Sequence, residues 1–242
     1  TNIIGNLLAD ATKFNVEVVP GWGGEEIAES DIYVVDGTYH ILTAKGLQYF
    51  AQLVNGEKSL ARAAEGMNFA NNTVVLENDI DLAGIEWTPI GNKKGNYFKG
   101  IFDGNNKTIS NMTVTVEDGA AGLFGWVENM KAIKNVKLTN VKVSSNHYAG
   151  ALVGWLQENG SQRGNPLVEN CSVDGAEISV SPDNLKGSYD NGDKAGGLIG
   201  YIASDVDIKN CKVNNATITG YRDLGGLCGI ANTSSYGTVN IS

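Results

Sequence analysis

Apolar and polar residues alternate with a period of two through much of the second half of this chain. In Ile133-Lys-Asn-Val-Lys-Leu-Thr-Asn-Val-Lys-Val143, Val136 and Leu138 flank Lys137, and Val141 and Val143 flank Lys142. A period of two predicts a strand with one buried face. The parity switches at Asn140 without a gap, so the chain must bend there, and Asn tolerates the left-handed conformation a bend requires. The block recurs as Val168-Glu-Asn-Cys-Ser-Val-Asp-Gly-Ala-Glu-Ile178 and as Ile208-Lys-Asn-Cys-Lys-Val-Asn-Asn-Ala-Thr-Ile218, with Gly175 and Asn215 at the bend. Ile109-Ser-Asn-Met-Thr-Val114 reads as an earlier, degenerate copy.

A glycine-rich segment separates the blocks. It reads Ala121-Gly-Leu-Phe-Gly-Trp126, Gly150-Ala-Leu-Val-Gly-Trp155, Ala195-Gly-Gly-Leu-Ile-Gly-Tyr201 and Leu224-Gly-Gly-Leu-Cys-Gly-Ile230. The last glycines, Gly125, Gly154, Gly200 and Gly229, are spaced 29, 46 and 29. The 46-residue unit is a 29-residue unit carrying insertions of 6 and 11, from about Gln157 to Pro166 and from Ser181 to Lys194. Each unit reads as about three short strands joined by tight corners, with no helical pattern between them, which excludes βαβ crossovers. The expected fold is all-β, a right-handed parallel β-helix of ~29-residue coils. A propeller is the main competitor, but its blades are longer, at ~40–50 residues.

Stacking gives equivalent positions a shared role. Asn111, Asn135, Asn170 and Asn210 are equivalent and predict a structural ladder of inward amides bonded to their copies. Cys171 and Cys211 replace Val136, and Cys228 replaces Phe124, so buried core thiols are expected. The N-terminal region differs. Leu47, Phe50, Leu53 and Val54 sit at helical spacing, with Thr43 as N-cap and Asn55-Gly56 as stop. Lys58 to Glu65 could extend a second short helix, and Phe14, Val16 and Val18 alternate like a strand. Residues 1–70 are therefore expected to form a small mixed α/β cap, and residues 71–242 the β-helix. After Gly229 a unit expects two more strands but the sequence stops at Ser242, an incomplete last coil. An open parallel edge of this kind predicts edge-to-edge self-association or a longer parent protein.

Composition narrows the function. The 242 residues include 31 Gly and 27 Asn, far above the usual ~7 % for glycine, as a chain of many corners requires. A net charge of −9 argues against nucleic acid as a partner. No apolar run is long enough to make a transmembrane segment. The three cysteines form no disulfide framework. The chain begins at Thr1, which suggests either an excised piece or the removal of an N-terminal signal, and the latter would place it outside the cell or on its surface.

Candidate chemistry is sparse. Asp79 and Asp81 share a strand face and are weak candidates for a hard-cation site, and a solvated strand face is the better explanation of them. Asp103-Gly-Asn105 is a turn signal, and neither His40 nor His147 lies in a nucleophile motif. No catalytic residue and no cofactor is expected. The equivalent Trp126, Trp155 and Tyr201 form a row that suits sugar rings, an apolar partner or a packed core. Tyr148, Tyr189 and Tyr221 fall in corners or loops near that row, and the two insertions would rim it, making a ligand-binding face.

The Gly-Leu-x-Gly units at Gly122–Gly125, Gly197–Gly200 and Gly226–Gly229 resemble the GLUG motif of bacterial surface proteins. Asn78-Asp-Ile-Asp-Leu82, Trp87-Thr-Pro-Ile-Gly91, Phe98-Lys-Gly-Ile-Phe-Asp-Gly104 and Lys107-Thr-Ile109 extend the resemblance to about residues 39–230, with Ala151 replacing one expected glycine. The resemblance implies a secreted or surface-attached protein of adhesin type. Some members of the family are joined to immunoglobulin-cleaving metallopeptidases, but His-Glu-x-x-His is absent here. The expected function is a non-catalytic module for cell adhesion that binds an extracellular glycan or protein. The alternative is a carbohydrate-active enzyme, a polysaccharide lyase or hydrolase, or its glycan-binding accessory domain.

Overall fold

The computed structural model describes residues 16–17, 31–57, 67–158, 166–181, 194–232 and 239–242. The chain is predominantly β, and most of its strands pair in parallel. Four sheets run through the repeats. The first begins with an antiparallel hairpin, Ile32–Val35 and Thr38–Ile41, and continues in parallel through Thr73–Leu76, Ile101–Asp103, Ala132–Lys134, Leu167–Glu169, Val206–Lys209 and Val239–Ile241. The second joins Ile80–Asp81, Thr108–Ser110 with Thr113–Val116, Lys137–Ser145, Ser172–Val180 and Lys212–Thr219. The third joins Phe124–Glu128, Val153–Gln157, Ile199–Ile202 and Cys228–Ala231, and the fourth Ala120–Ala121, Tyr148–Gly150, Lys194–Gly196 and Leu224–Gly225.

Each unit thus contributes four strands, not about three. The one missed is the short segment before the glycine motif, where Tyr148-Ala-Gly150 is too short and small to show alternation. The bend at Asn140 falls inside a strand, since Lys137–Ser145 continues through it. Asn140, Gly175 and Asn215 take φ of 54°, 72° and 50°, so the chain reverses face there while keeping its ladder. Register is strict: Leu138 pairs with Ile109 and Val173, and Val173 with Val213. Equivalent side chains therefore lie one strand spacing apart, about 4.8 Å.

The core fills the space between these sheets. Ile133, Val136, Leu138, Val141 and Val143 are buried, as are their copies Val168, Cys171, Val173, Ala176 and Ile178. Cys211 and Cys228, in the last unit, are only partly covered. At the other end the helix Ala44–Val54 packs across the first units. Thr43 Oγ1 accepts a hydrogen bond from the Gly46 N–H at 3.1 Å, and Leu47, Phe50, Leu53 and Val54 are buried. Phe50 meets Phe69, Phe98 and Phe102 with ring centroids 5.0, 5.7 and 6.1 Å apart. Phe14, Val18, the segment 58–65 and most of both insertions lie outside the described residues, while Val16–Glu17 pairs antiparallel with Val34 and Val35.

Asn111 is not equivalent to the other three asparagines as expected: Ser110 pairs with Thr139 and Thr113 with Lys142, which puts Asn111 in register with Asn140, while Asn135, Asn170 and Asn210 follow the paired strands of the first sheet. All four sit at left-handed corners, with φ of 57°, 56°, 53° and 51° at Asn111, Asn135, Asn170 and Asn210. Their side chains point to the outside of the corner and are half-buried or exposed, unlike the inward amides expected. Asn170 Nδ2 donates to Asn135 Oδ1 at 3.1 Å, and Asn135 Nδ2 donates to Asp103 Oδ1 at 2.9 Å. In the separate corner row of the second sheet, Asn111 Nδ2 donates to Asp81 Oδ1 at 2.9 Å. The motif glycines meet a tighter constraint. A Cβ on Gly200 would lie 2.7 Å from the Gly154 carbonyl oxygen, and one on Gly229 would lie 2.5 Å from that of Gly200.

Two stability outcomes follow. Gly200→Ala should lower the unfolding free energy by about 1–3 kcal/mol, because backbone must move to admit the methyl group. A loss under about 0.5 kcal/mol in urea denaturation would contradict the close approach. At the corner the order of two variants is diagnostic. Asn135→Gly keeps the left-handed backbone and loses the amide bonds, whereas Asn135→Ala also carries the left-handed penalty and should be less stable by about 1 kcal/mol.

Candidate functional site

The strands of the third sheet do not alternate strictly. Phe124 and Val127 both belong to the main core, as do Val153 and Leu156, then Ile199 and Ile202. Trp126, Trp155 and Tyr201, in register with one another, project to the other side. There they form a second apolar cluster with Tyr148 and Ala120 from the fourth sheet and with Tyr97. The aromatic row is therefore packed, but outside the main core. Trp126 and Tyr148 are buried, while Trp155 and Tyr201 are half-exposed.

Ring geometry is dense. Trp126 and Trp155 lie 4.8 Å apart between centroids, and Trp155 meets Tyr201 and Tyr148 edge-on at 4.6 Å each. Tyr148 and Tyr201 stack at 5.6 Å with planes 19° apart. Offset and edge contacts of this kind contribute about 0.5–1.5 kcal/mol per pair beyond area burial. Two ammonium groups complete the cluster. Lys94 Nζ lies 5.0 Å from the Trp126 ring centre and 5.4 Å from that of Trp155. Lys194 Nζ lies 5.5 Å from Tyr148 and 5.4 Å from Tyr201. Each cation thus faces the negative faces of two rings.

A polar chain borders the row. Trp155 Nε1 donates to Gln157 Oε1 at 3.2 Å, and Gln157 Nε2 donates to Glu128 Oε2 at 2.6 Å. Lys99 Nζ stands 3.8 Å from Glu128 Oε1 and 6.0 Å from the Tyr97 ring. On the opposite flank a cleft of about 390 Å³ is lined by Asn92, Lys93, Lys94, Asp118, Trp126, His147 and Tyr148, with Gly119 at its floor. His147 Nε2 is 3.1 Å from Asp118 Oδ1. Burial, with the neighbouring Tyr201, pushes the Tyr148 phenol up to about 12, so it stays neutral and able to donate at physiological pH.

The remaining candidates fall elsewhere. Tyr221 is 64 % exposed and makes no ring contact with the cluster, and Tyr189 lies outside the described residues. Asp79 Oδ1 accepts from the Thr108 N–H at 2.7 Å, and Asp81 Oδ1 accepts from the Ala83 N–H at 3.0 Å. The Asn111 amide, then the Ala83 N–H, holds the Asp81 carboxyl below its ordinary range. Partial burial raises Asp103, but Asn135, the Asn105 N–H and Lys134 outweigh it and leave the carboxyl low. Among the described residues no three His, Cys, Asp or Glu side chains converge as a metal site would require. No described helix is long and apolar enough to cross a membrane.

Sequence reasoning missed Lys94, Lys194, Tyr97, Lys99, Glu128 and Gln157. For Lys194 a signal existed, because it stands in register with Tyr148 and so one layer above it. Lys94 lies in the loop between the bridges Ile90–Phe124 and Phe98–Val127, and nothing local marks it.

No family model and no curated protein matches this chain. Among solved structures it is similar to one described as a candidate immunoglobulin A1 protease from Bacteroides ovatus, at 18 % identity and a TM-score of 0.48. That likeness covers 84 % of this chain and 64 % of the other.

The three thiols differ in character. The hydrogen bond shared with Cys211, then burial, raises the Cys171 thiol, while the same bond lowers Cys211. Burial pushes Cys228 up to about 12. Thiolate, not thiol, is the nucleophile. Iodoacetamide at about pH 8 should therefore modify Cys211 first and spare Cys171 and Cys228 until the chain unfolds. Equal labelling rates at the three sites in peptide mapping would refute this order.

Proposed function

We propose that this chain is a non-catalytic binding module of adhesin type, secreted or displayed on a cell surface, that holds an extracellular glycan against its aromatic–lysine face. In this reading the four parallel sheets close into a right-handed parallel β-helix, residues 1–70 cap it, and the Gly-Leu-x-Gly segments are GLUG-type repeats. One observation carries the functional part. Trp126, Trp155, Tyr148 and Tyr201 assemble outside the main core, with Trp155 and Tyr201 half-exposed. Flat apolar surface of that kind matches the C–H faces of pyranose rings. Gln157, Glu128, Lys99 and Lys94 at its margins supply the hydrogen-bond donors and acceptors that sugar hydroxyls require.

A rigid sheet suits this task. The rings are carried on hydrogen-bonded strands in register, so little side-chain freedom is lost when a ligand docks. Edge-to-edge self-association through Lys212–Thr219 and Cys228–Ala231, which end their sheets among the described residues, is part of the same proposal.

Trp155→Ala is the sharpest test. On a glycan array the intact protein should bind a restricted set of saccharides, and the variant should lose at least about tenfold in affinity for them. Parallel reducing-end assays with matching polysaccharides should show no turnover. Release of reducing ends would make the chain a carbohydrate-active enzyme instead. Unchanged binding by a folded Trp155→Ala protein would move the site elsewhere.

A further inference from the structure

The cleft beside Trp126 has a charge unlike that of the molecule carrying it. The whole chain is at −9, yet this wall brings Lys93 and Lys94 together with His147 around a single carboxylate, Asp118. That carboxylate is engaged by His147 Nε2 at 3.1 Å. Neither Lys93 nor Lys94 has a carboxylate within ion-pair distance among the described residues. Lys94 instead faces two indole rings, which attract a cation without neutralising it. Lys194 Nζ likewise lies over two rings, those of Tyr148 and Tyr201.

We infer that this cleft takes the acidic group, a carboxylate or a sulfate, of an anionic saccharide whose ring rests on the half-exposed Trp155. The inference rests on the aromatic face being a glycan surface, and it adds the class of glycan. An ammonium placed against ring faces with no carboxylate partner is available to an anion, which gains a charge-assisted bond stronger than a neutral one. Asn92 and the Tyr148 phenol, which stays protonated, add donors at the cleft. Lys94 Nζ lies 5.4 Å from the ring centre of the half-exposed Trp155, so an acidic substituent can reach the ammonium while the sugar that bears it rests on that indole.

Isothermal titration of the full chain with three galactose-based oligosaccharides tests this: tetragalacturonate, a sulfated galactan tetramer and neutral galactotetraose. At least one acidic oligosaccharide should bind at least about tenfold tighter than the neutral one, and the preference should shrink as salt is raised. The carboxylate and sulfate arms identify which acid is taken. Lys94→Gln should remove most of that preference, Lys94→Arg should retain it, and neither should alter thermal unfolding, because Lys94 is exposed. Lys93→Gln provides a second exposed probe of the same cleft. Equal affinity for acidic and neutral sugars, or a Lys94→Gln loss shared equally by both, overturns the anion site while the aromatic glycan face stands. Binding of none of the three, together with an empty glycan array, overturns both readings.

Discussion

The fold depends on how closely one repeat unit can lie on the next. Parallel strands in register must approach to about 4.8 Å, and at the turn into the third sheet backbone meets backbone with no room for a side chain. A Cβ on Gly154 would come within 2.7 Å of the Ala121 nitrogen, and those on Gly200 and Gly229 would strike the carbonyl oxygens of the glycine one layer below. The glycine column is thus a packing requirement passed from layer to layer. Where the requirement relaxes the glycine is dispensable. Ala151 occupies the position equivalent to Gly122 and Gly197 and is wholly buried.

Strict register turns every position of the unit into a row, and each row must satisfy itself. Inward rows are apolar and merge into one core. Corner rows are asparagines, which tolerate a positive φ and pass an amide bond to the next layer. On the outer face of the first sheet, Asp103, Lys134, Glu169 and Lys209 are successive neighbours, so the sign of charge alternates from strand to strand. Like charges directly opposite would repel, and Lys134 Nζ reaches Asp103 Oδ2 at 3.2 Å. The aromatic row obeys the same rule, with ring on ring and cations laid over the faces.

Much of this was legible in the chain because the controlling interactions are local or repeated. The 29-residue period, the reversal at Asn140 and the Thr43 cap each rest on a few neighbouring residues. The fourth strand was not legible, because Tyr148-Ala-Gly150 is held by its pairing with Lys194–Gly196 and Ala120–Ala121 rather than by its own propensity. The outward side of Trp126 was hidden for another reason. Phe124 and Val127 both turn into the core, so the strand shifts phase after Gly125, and alternation gives no parity for Trp126. The outward corner amides were misjudged because a left-handed corner carries its side chain away from the core. Lys94 reaches its rings from a loop remote in sequence, which no local pattern reports.

Departures from the repeat, not the repeat itself, give this face chemical character. The column through Tyr148 changes at every layer, with Ala120 below and Lys194 above, and Lys194 puts a cation over Tyr148 and Tyr201. Ile230 then replaces the aromatic in the last unit, so the row ends after three members. At the opposite end the loop carrying Lys93 and Lys94 occupies the layer beneath Trp126, between segments bridged to Phe124 and Val127. The row is therefore bounded on both sides, and its cations enter where the sequence breaks period. A repeating scaffold supplies rigidity and spacing, and selectivity has to come from the residues that interrupt it.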